Sequence, residues 1–90
     1  MEAAVHIIVQ GMVQGVGFRY FVYRAATQYK LKGFVANLFD GNVEIEAEGE
    51  RSLIEQLLKE VKVGPRAARV ANLQVTWMKP KHQFSTFDIQ

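Results

Sequence analysis

Between Gly11 and Gly17 the chain reads Gly-Met-Val-Gln-Gly-Val-Gly, three glycines in seven residues, and Arg19 follows two positions later. Such a loop can adopt backbone angles closed to other residues, or approach a ligand closely. A helical pattern opens at Phe18, so Arg19 falls in the first helical turn, where the macrodipole favours an anion over a cation. Converging loop N–H groups, a helix N-terminus and a guanidinium together make an oxyanion site. The planar guanidinium fork suits phosphate, because it can bond two oxygens at once. A glycine-rich strand-to-helix loop is also often a plain tight connector, and a solvated arginine there costs only roughly a few tenths of a kcal/mol. On loop composition alone both readings stand. The familiar phosphate fingerprints are absent: no Gly-Lys-Ser/Thr follows the loop, and Gly15-Val16-Gly17 lacks the third glycine of a dinucleotide fold.

The elements around this loop follow from hydrophobic periodicity. Val5, Ile7 and Val9 alternate with His6, Ile8 and Gln10, which predicts a first strand with both faces partly covered. Phe18, Phe21, Val22, Ala25, Ala26 and Tyr29 fall on one face of a helix, which Gly33 is expected to stop after Lys30-Leu31-Lys32, with cations near the dipole's negative end. Phe34 to Phe39 reads as a second strand. Asp40-Gly41 predicts a type I′ hairpin turn with positive φ at both positions. Asn42 to Glu48 is the clearest strand, with Val43, Ile45 and Ala47 inward and Glu44, Glu46 and Glu48 on a solvated face. Ser52-Leu53-Ile54-Glu55 fits a capping box ahead of a helix that Gly64-Pro65 ends. Val70 to Trp77 and Phe84 to Ile89 complete the set as strands. The order β-α-β-β-α-β, with a terminal strand, is the split βαβ, ferredoxin-like α+β sandwich: an antiparallel sheet with two helices on one face. In that topology the first two strands run parallel around the third. The glycine loop, the start of the first helix and Asn37 therefore meet at one edge of the sheet.

Two stretches carry a family resemblance. Gly11-Met12-Val13-Gln14-Gly15-Val16-Gly17-Phe18-Arg19 resembles the G-x-V-Q-G-V-x-F-R signature of acylphosphatases, and Gly33-Phe34-Val35-Ala36-Asn37-Leu38-Phe39-Asp40-Gly41 resembles their second motif, G-[WFY]-V-x-N-x-x-D-G. The likeness continues through Val43-Glu44-Ile45, Gly64-Pro65 and Phe87-Asp88-Ile89, and so spans essentially the whole chain. Ala36 and Phe39 depart from the residues common in the family, at positions outside the core chemistry. The resemblance implies an enzyme that hydrolyses the carboxyl–phosphate bond of small acyl phosphates, with no metal and no organic cofactor. It implies that Arg19 binds the phosphoryl group, that Asn37 orients the attacking water, and that the loop from Gln14 through Gly15, Val16 and Gly17 to Phe18 cradles phosphate oxygens with its amides.

Composition bounds the alternatives. Ninety residues without cysteine suit one domain, residues 1–90, with no disulfide framework and no cysteine nucleophile. Two histidines, His6 and His82, cannot by themselves make a structural zinc site. Eleven Lys and Arg against nine Asp and Glu give a net charge of +2, mild for a nucleic-acid binder but favourable to a small anion. The start carries neither a basic n-region nor an apolar run, and no apolar stretch approaches a membrane span, so a cytoplasmic monomer is expected. The competing readings are non-catalytic. Lys32, Gly33, Phe34 and Phe39 match part of an RNA-recognition pattern, but on the second strand rather than the third, beside a glutamate-rich strand that repels phosphates. An anion-binding regulatory domain of the same fold, or a carbamoyl-phosphate-handling domain, differs from the enzyme in lacking acyl phosphate turnover. His6, His82 and Trp77 are read as structural, and Gln14's side chain is as well suited to holding the loop as to binding.

Overall fold

The computed structural model describes all 90 residues. The elements are β1 (Glu2–Met12), α1 (Phe18–Gln28), β2 (Lys32–Asn37), β3 (Val43–Glu50), α2 (Arg51–Val63), β4 (Arg69–Met78) and β5 (Phe87–Ile89). They build one five-stranded sheet in the order β4-β1-β3-β2-β5. Three ladders, β1–β3, β1–β4 and β2–β3, are antiparallel, as expected. The β2–β5 pair is parallel, so the sheet is mixed rather than wholly antiparallel. The connection from β4 to β5 explains this. It crosses the sheet at the end where Met78, Ala4, Glu48 and Lys32 lie abreast. From there β5 can only run alongside β2, toward the end where Asn37 sits.

Val5, Ile7 and Val9 of β1, Val35 of β2, and Val43, Ile45 and Ala47 of β3 share the helix-covered face and are fully buried. Phe18, Val22 and Ala26 of α1 and Ile54, Leu57 and Val61 of α2 close over them in a single core. Strand period and helix period thus meet on the same buried layer, which is what fixes the register. The Tyr29 hydroxyl donates to Glu60, tying α1 to α2.

Several local devices differ from expectation. Helix α1 ends at Gln28, before the lysines, and Lys30 takes the left-handed position at φ 58°. Its N–H bonds Thr27 O while Leu31 N–H bonds Ala26 O, a Schellman closure made without glycine. Gly33 instead lies within β2 at φ 145°, where a Cβ would come 1.9 Å from Glu46 O. It is glycine because β3 passes too close for a side chain. The turn after β2 is not type I′: Gly41 alone has positive φ, and Asp40 accepts the Asn42 N–H and side-chain amide through its carboxylate. That local Asx bond holds Asp40 in ordinary backbone space. No capping box forms on α2, whose N-cap is Glu50. Ser52 lies inside the helix, and the Arg51 N–H is satisfied by Met1 O, one step beyond the end of the β1–β3 ladder. Gly64 does terminate α2.

Glu48 corrects the solvated-face reading of β3. It is buried, and its two oxygens accept the N–H groups of Lys81 and His82 at 2.7 and 2.8 Å, pinning the β4–β5 connection. Residues 84–86 belong to that connection and not to a strand, and the Phe84 ring packs edge-on to Phe34. Glu44 pairs with His6 at 2.8 Å, so neither glutamate is free.

Candidate functional site

The β1-to-α1 loop is shaped by its glycines. Gly15 and Gly17 sit at φ 74° and 76°, and Gly17 is the left-handed N-cap of α1. An L side chain at Gly17 would be strained there, and the turn would not aim its amides forward. None of the N–H groups of Gln14, Gly15, Val16 and Gly17 donates to a protein acceptor. The first N–H groups of α1 have no intrahelical partner either. This loop therefore presents a run of free donors at the positive end of a helix dipole, a ready place for an anion.

Gln14 holds the loop in register with the opposite turn. Its Nε2 donates to Leu38 O at 2.7 Å and to Asn42 O at 2.8 Å. One carboxamide thus bridges the glycine loop and the β2–β3 turn, so its contribution to the site is the backbone N–H and the bracing. Phe18 is buried, with its ring in the core, and offers only its backbone. Val16 packs against the core edge.

Asn37 ends β2 on the helix-covered face, opposite Val43 in register. That places it beside the loop. One cavity of about 210 Å³ is lined by Gly15, Gly17, Phe18, Arg19 and Asn37 together, with Val13, Tyr20 and Ile89 completing the wall. Gln14 and Asn37 also line an adjoining recess with Leu38 and Phe39. Of the residues singled out in the sequence, Gly15, Gly17, Phe18, Arg19 and Asn37 meet in this cavity, Gln14 lies in the adjoining recess, and Val16 lines neither. A larger cleft of about 580 Å³ between α2 and β4 contains none of them.

Arg19 is exposed, and its Nη1 donates to Gln90 O at 2.9 Å. Gln90 in turn donates its N–H to Val35 O, which extends the parallel β2–β5 ladder. That carbonyl fixes one corner of the fork and leaves the other N–H groups toward the cavity free. Gln90 and Ile89 are the parts of the site that sequence reasoning missed. The alternation in Phe87-Asp88-Ile89 announced a strand, but nothing local announced which edge it would join. His6 lies on the opposite sheet face from the cavity and is engaged by Glu44, in keeping with a structural part. Trp77 sits on the edge strand β4 under the Arg51 guanidinium, 4.1 Å from its ring centre.

Chemically, the cavity offers amide donors, a guanidinium and a neutral carboxamide, with no carboxylate in its wall. It is built to hold a small, multiply charged oxyanion and to position one neutral polar molecule beside it.

Comparison with known proteins bears on the same point. The acylphosphatase family model matches residues 5–89. The chain is similar to the acylphosphatase of Caldanaerobacter subterraneus subsp. tengcongensis, 44% identical over 89 residues that cover 99% of both chains. Its fold is similar to the crystal structure of acylphosphatase from Bacillus subtilis, with a TM-score of 0.94 and 41% identity, covering 100% of this chain and 99% of that one. It is also similar to part of full-length HypF in its phosphate- and nucleotide-bound form, with a TM-score of 0.87 and 35% identity, covering 100% of this chain and 12% of that chain. No helix is long and apolar enough to cross a membrane. The chain belongs to the acylphosphatase family, hydrolases that act on small-molecule acyl phosphates.

Proposed function

We propose that residues 1–90 act as a single acylphosphatase domain in which Arg19 and the amides from Gln14 to Phe18 hold the phosphoryl group and Asn37 positions the attacking water. The observation that carries this reading is the shared cavity, with Gly15 and Gly17, whose N–H groups are free, Arg19 and Asn37 on its wall. The phosphoryl oxygens accept from the loop and the guanidinium, which stabilise charge as it develops. Asn37 holds one water in line with the scissile bond but is too weak a base to take its proton. The water oxygen bonds to phosphorus, the bond from phosphorus to the acyl oxygen breaks, and the electron pair leaves on the carboxylate. The water's proton passes to a phosphate oxygen. A carboxylate is already a good leaving group, so no strong general acid is needed. Asp40, the only acid in the two motifs, is occupied by Asn42, which favours direct attack by water over a phosphoenzyme.

The absence of carboxylates from the cavity wall supports catalysis without a divalent metal, since carboxylates are the usual protein anchors for Mg²⁺. A free small-molecule substrate rather than a nucleic acid fits the mild net charge of +2, and a cytoplasmic monomer is the setting of this reading. The deciding experiment is hydrolysis of acetyl phosphate, with and without EDTA, by wild type and Asn37→Ala. Wild-type turnover that ignores EDTA is expected, with Asn37→Ala mainly lowering kcat while inorganic phosphate still binds. A folded wild-type protein that binds phosphate without turnover would favour the anion-binding reading. An Asn37→Ala enzyme that loses phosphate affinity but keeps full kcat would remove the water-positioning role.

A further inference from the structure

A second groove, of about 360 Å³, opens from the same rim. It shares Gly17 and Tyr20 with the phosphate cavity and continues along α1 past Phe21 and Arg24 to Gln28. Positions 17, 20, 21, 24 and 28 lie on one helical face, so the groove runs along the helix axis away from the glycine loop. Tyr20 is 59% exposed at the junction, stacked on Tyr23 with ring centres 6.3 Å apart. Arg24 is exposed and takes part in no ion pair or side-chain hydrogen bond. The one carboxylate of this groove, Glu60, accepts the Tyr29 hydroxyl.

The geometry of displacement selects this groove for the acyl group, an argument that rests on the function proposed above. Attacking and leaving oxygens lie roughly in line across phosphorus. With the water at Asn37, the leaving carboxylate must point away from Asn37. The recess toward Leu38 and Phe39 is lined by Asn37 and so lies on the water's side. The groove toward Arg24 shares Gly17 and Tyr20 with the cavity but not Asn37. Arg24 lies five residues beyond Arg19, about 7.5 Å further along the helix axis and about 140° around it. It therefore stands in the groove rather than beside the guanidinium that lines the cavity.

We propose that Tyr20 and Arg24 form an acyl subsite that favours acyl phosphates whose acyl chain carries a second anionic group, such as the monoacyl phosphate of a four-carbon dicarboxylic acid. Tyr20 covers the chain and Arg24 meets its distal carboxylate. Arg24 is a specificity residue and takes no part in bond making.

The test compares succinyl phosphate with butanoyl phosphate, which have equal carbon counts and differ in the distal charge. The readout is the ratio of their kcat/KM values, for wild type, Arg24→Gln and Arg24→Glu. Wild type is expected to favour succinyl phosphate about two- to fivefold at low salt, the scale of one exposed ion pair. The preference should shrink as ionic strength passes 0.1 M, where the Debye length falls to about 10 Å. Arg24→Gln should bring the ratio near unity and Arg24→Glu should reverse it. An identical ratio in all three proteins, with both substrates turned over, overturns this subsite and leaves the proposed function standing. No hydrolysis of either substrate by the folded wild type overturns both.

Discussion

Arg19 spends one of its five N–H donors on Gln90 O, and the rest of the fork can meet two phosphate oxygens. The held geometry matters as much as the charge. Arg19→Ala is expected to lower kcat/KM for acetyl phosphate by about 10²–10³-fold or more, the scale of one preorganised oxyanion donor. Arg19→Lys should recover only part of that loss, because an ammonium is a point charge without the fork. Steady-state kinetics on both variants would check this, and near-wild-type turnover by Arg19→Ala would end the assignment. Gln14 makes a complementary point at the same scale. Its side-chain amide is spent on tying the loop to the carbonyls of Leu38 and Asn42. Removing it would loosen the amides without touching a substrate atom.

At the scale of elements, Glu48 is the clearest dependency. Its buried carboxylate holds the N–H groups of Lys81 and His82, and this connection steers β5 to its place beside β2. Glu48→Ala leaves two backbone donors without their partner, at about 1–3 kcal/mol each where water cannot replace it. The expected result is a lower unfolding midpoint together with faster hydrogen exchange at Lys81 and His82. Unchanged exchange at those two amides would show that the clamp is not needed. How much the sequence revealed divides along physical lines. Element order, the inward faces of β1 and β3 and the meeting of the glycine loop with Asn37 all follow from local periodicity and from topology, so they were readable. The clamp at Glu48 was not, because alternation marks a residue as off the core face but does not say whether a distant segment covers that face. Gly33 was misplaced for a similar reason: glycine after lysines looks like a helix stop, and only the approach of Glu46 reveals its purpose. In the candidate site, Arg19 and Asn37 stood within recognisable motifs. The carbonyl of Gln90 did not, because its position depends on the edge that β5 joins.

Across the whole molecule, the two helices are joined by the hydrogen bond from Tyr29 to Glu60. That bond, followed by burial and the nearby carboxylate charge, raises the Tyr29 phenol above its ordinary value of 10.0. The folded state therefore favours the neutral phenol more than the unfolded chain does. This contribution is fully present below pH 10 and is lost as pH rises through the raised folded value. Thermal midpoints followed upward from pH 9 should fall more steeply in wild type than in Tyr29→Phe, which has no proton to lose. Parallel curves for the two proteins would show that the bond does not couple the helices.

The pairing of Arg19 with Gln90 spans 71 positions, and β1 likewise waits for β4, and β2 for β5. On a ribosome the chain emerges vectorially. The glycine loop, Arg19 and Asn37 are thus made before the carbonyl that steadies the guanidinium. Only the β2–β3 hairpin is a short-range pairing. Until residues 87–90 follow, the candidate site's residues exist without the strand that borders them. The candidate site and the sheet are therefore completed by the same segment.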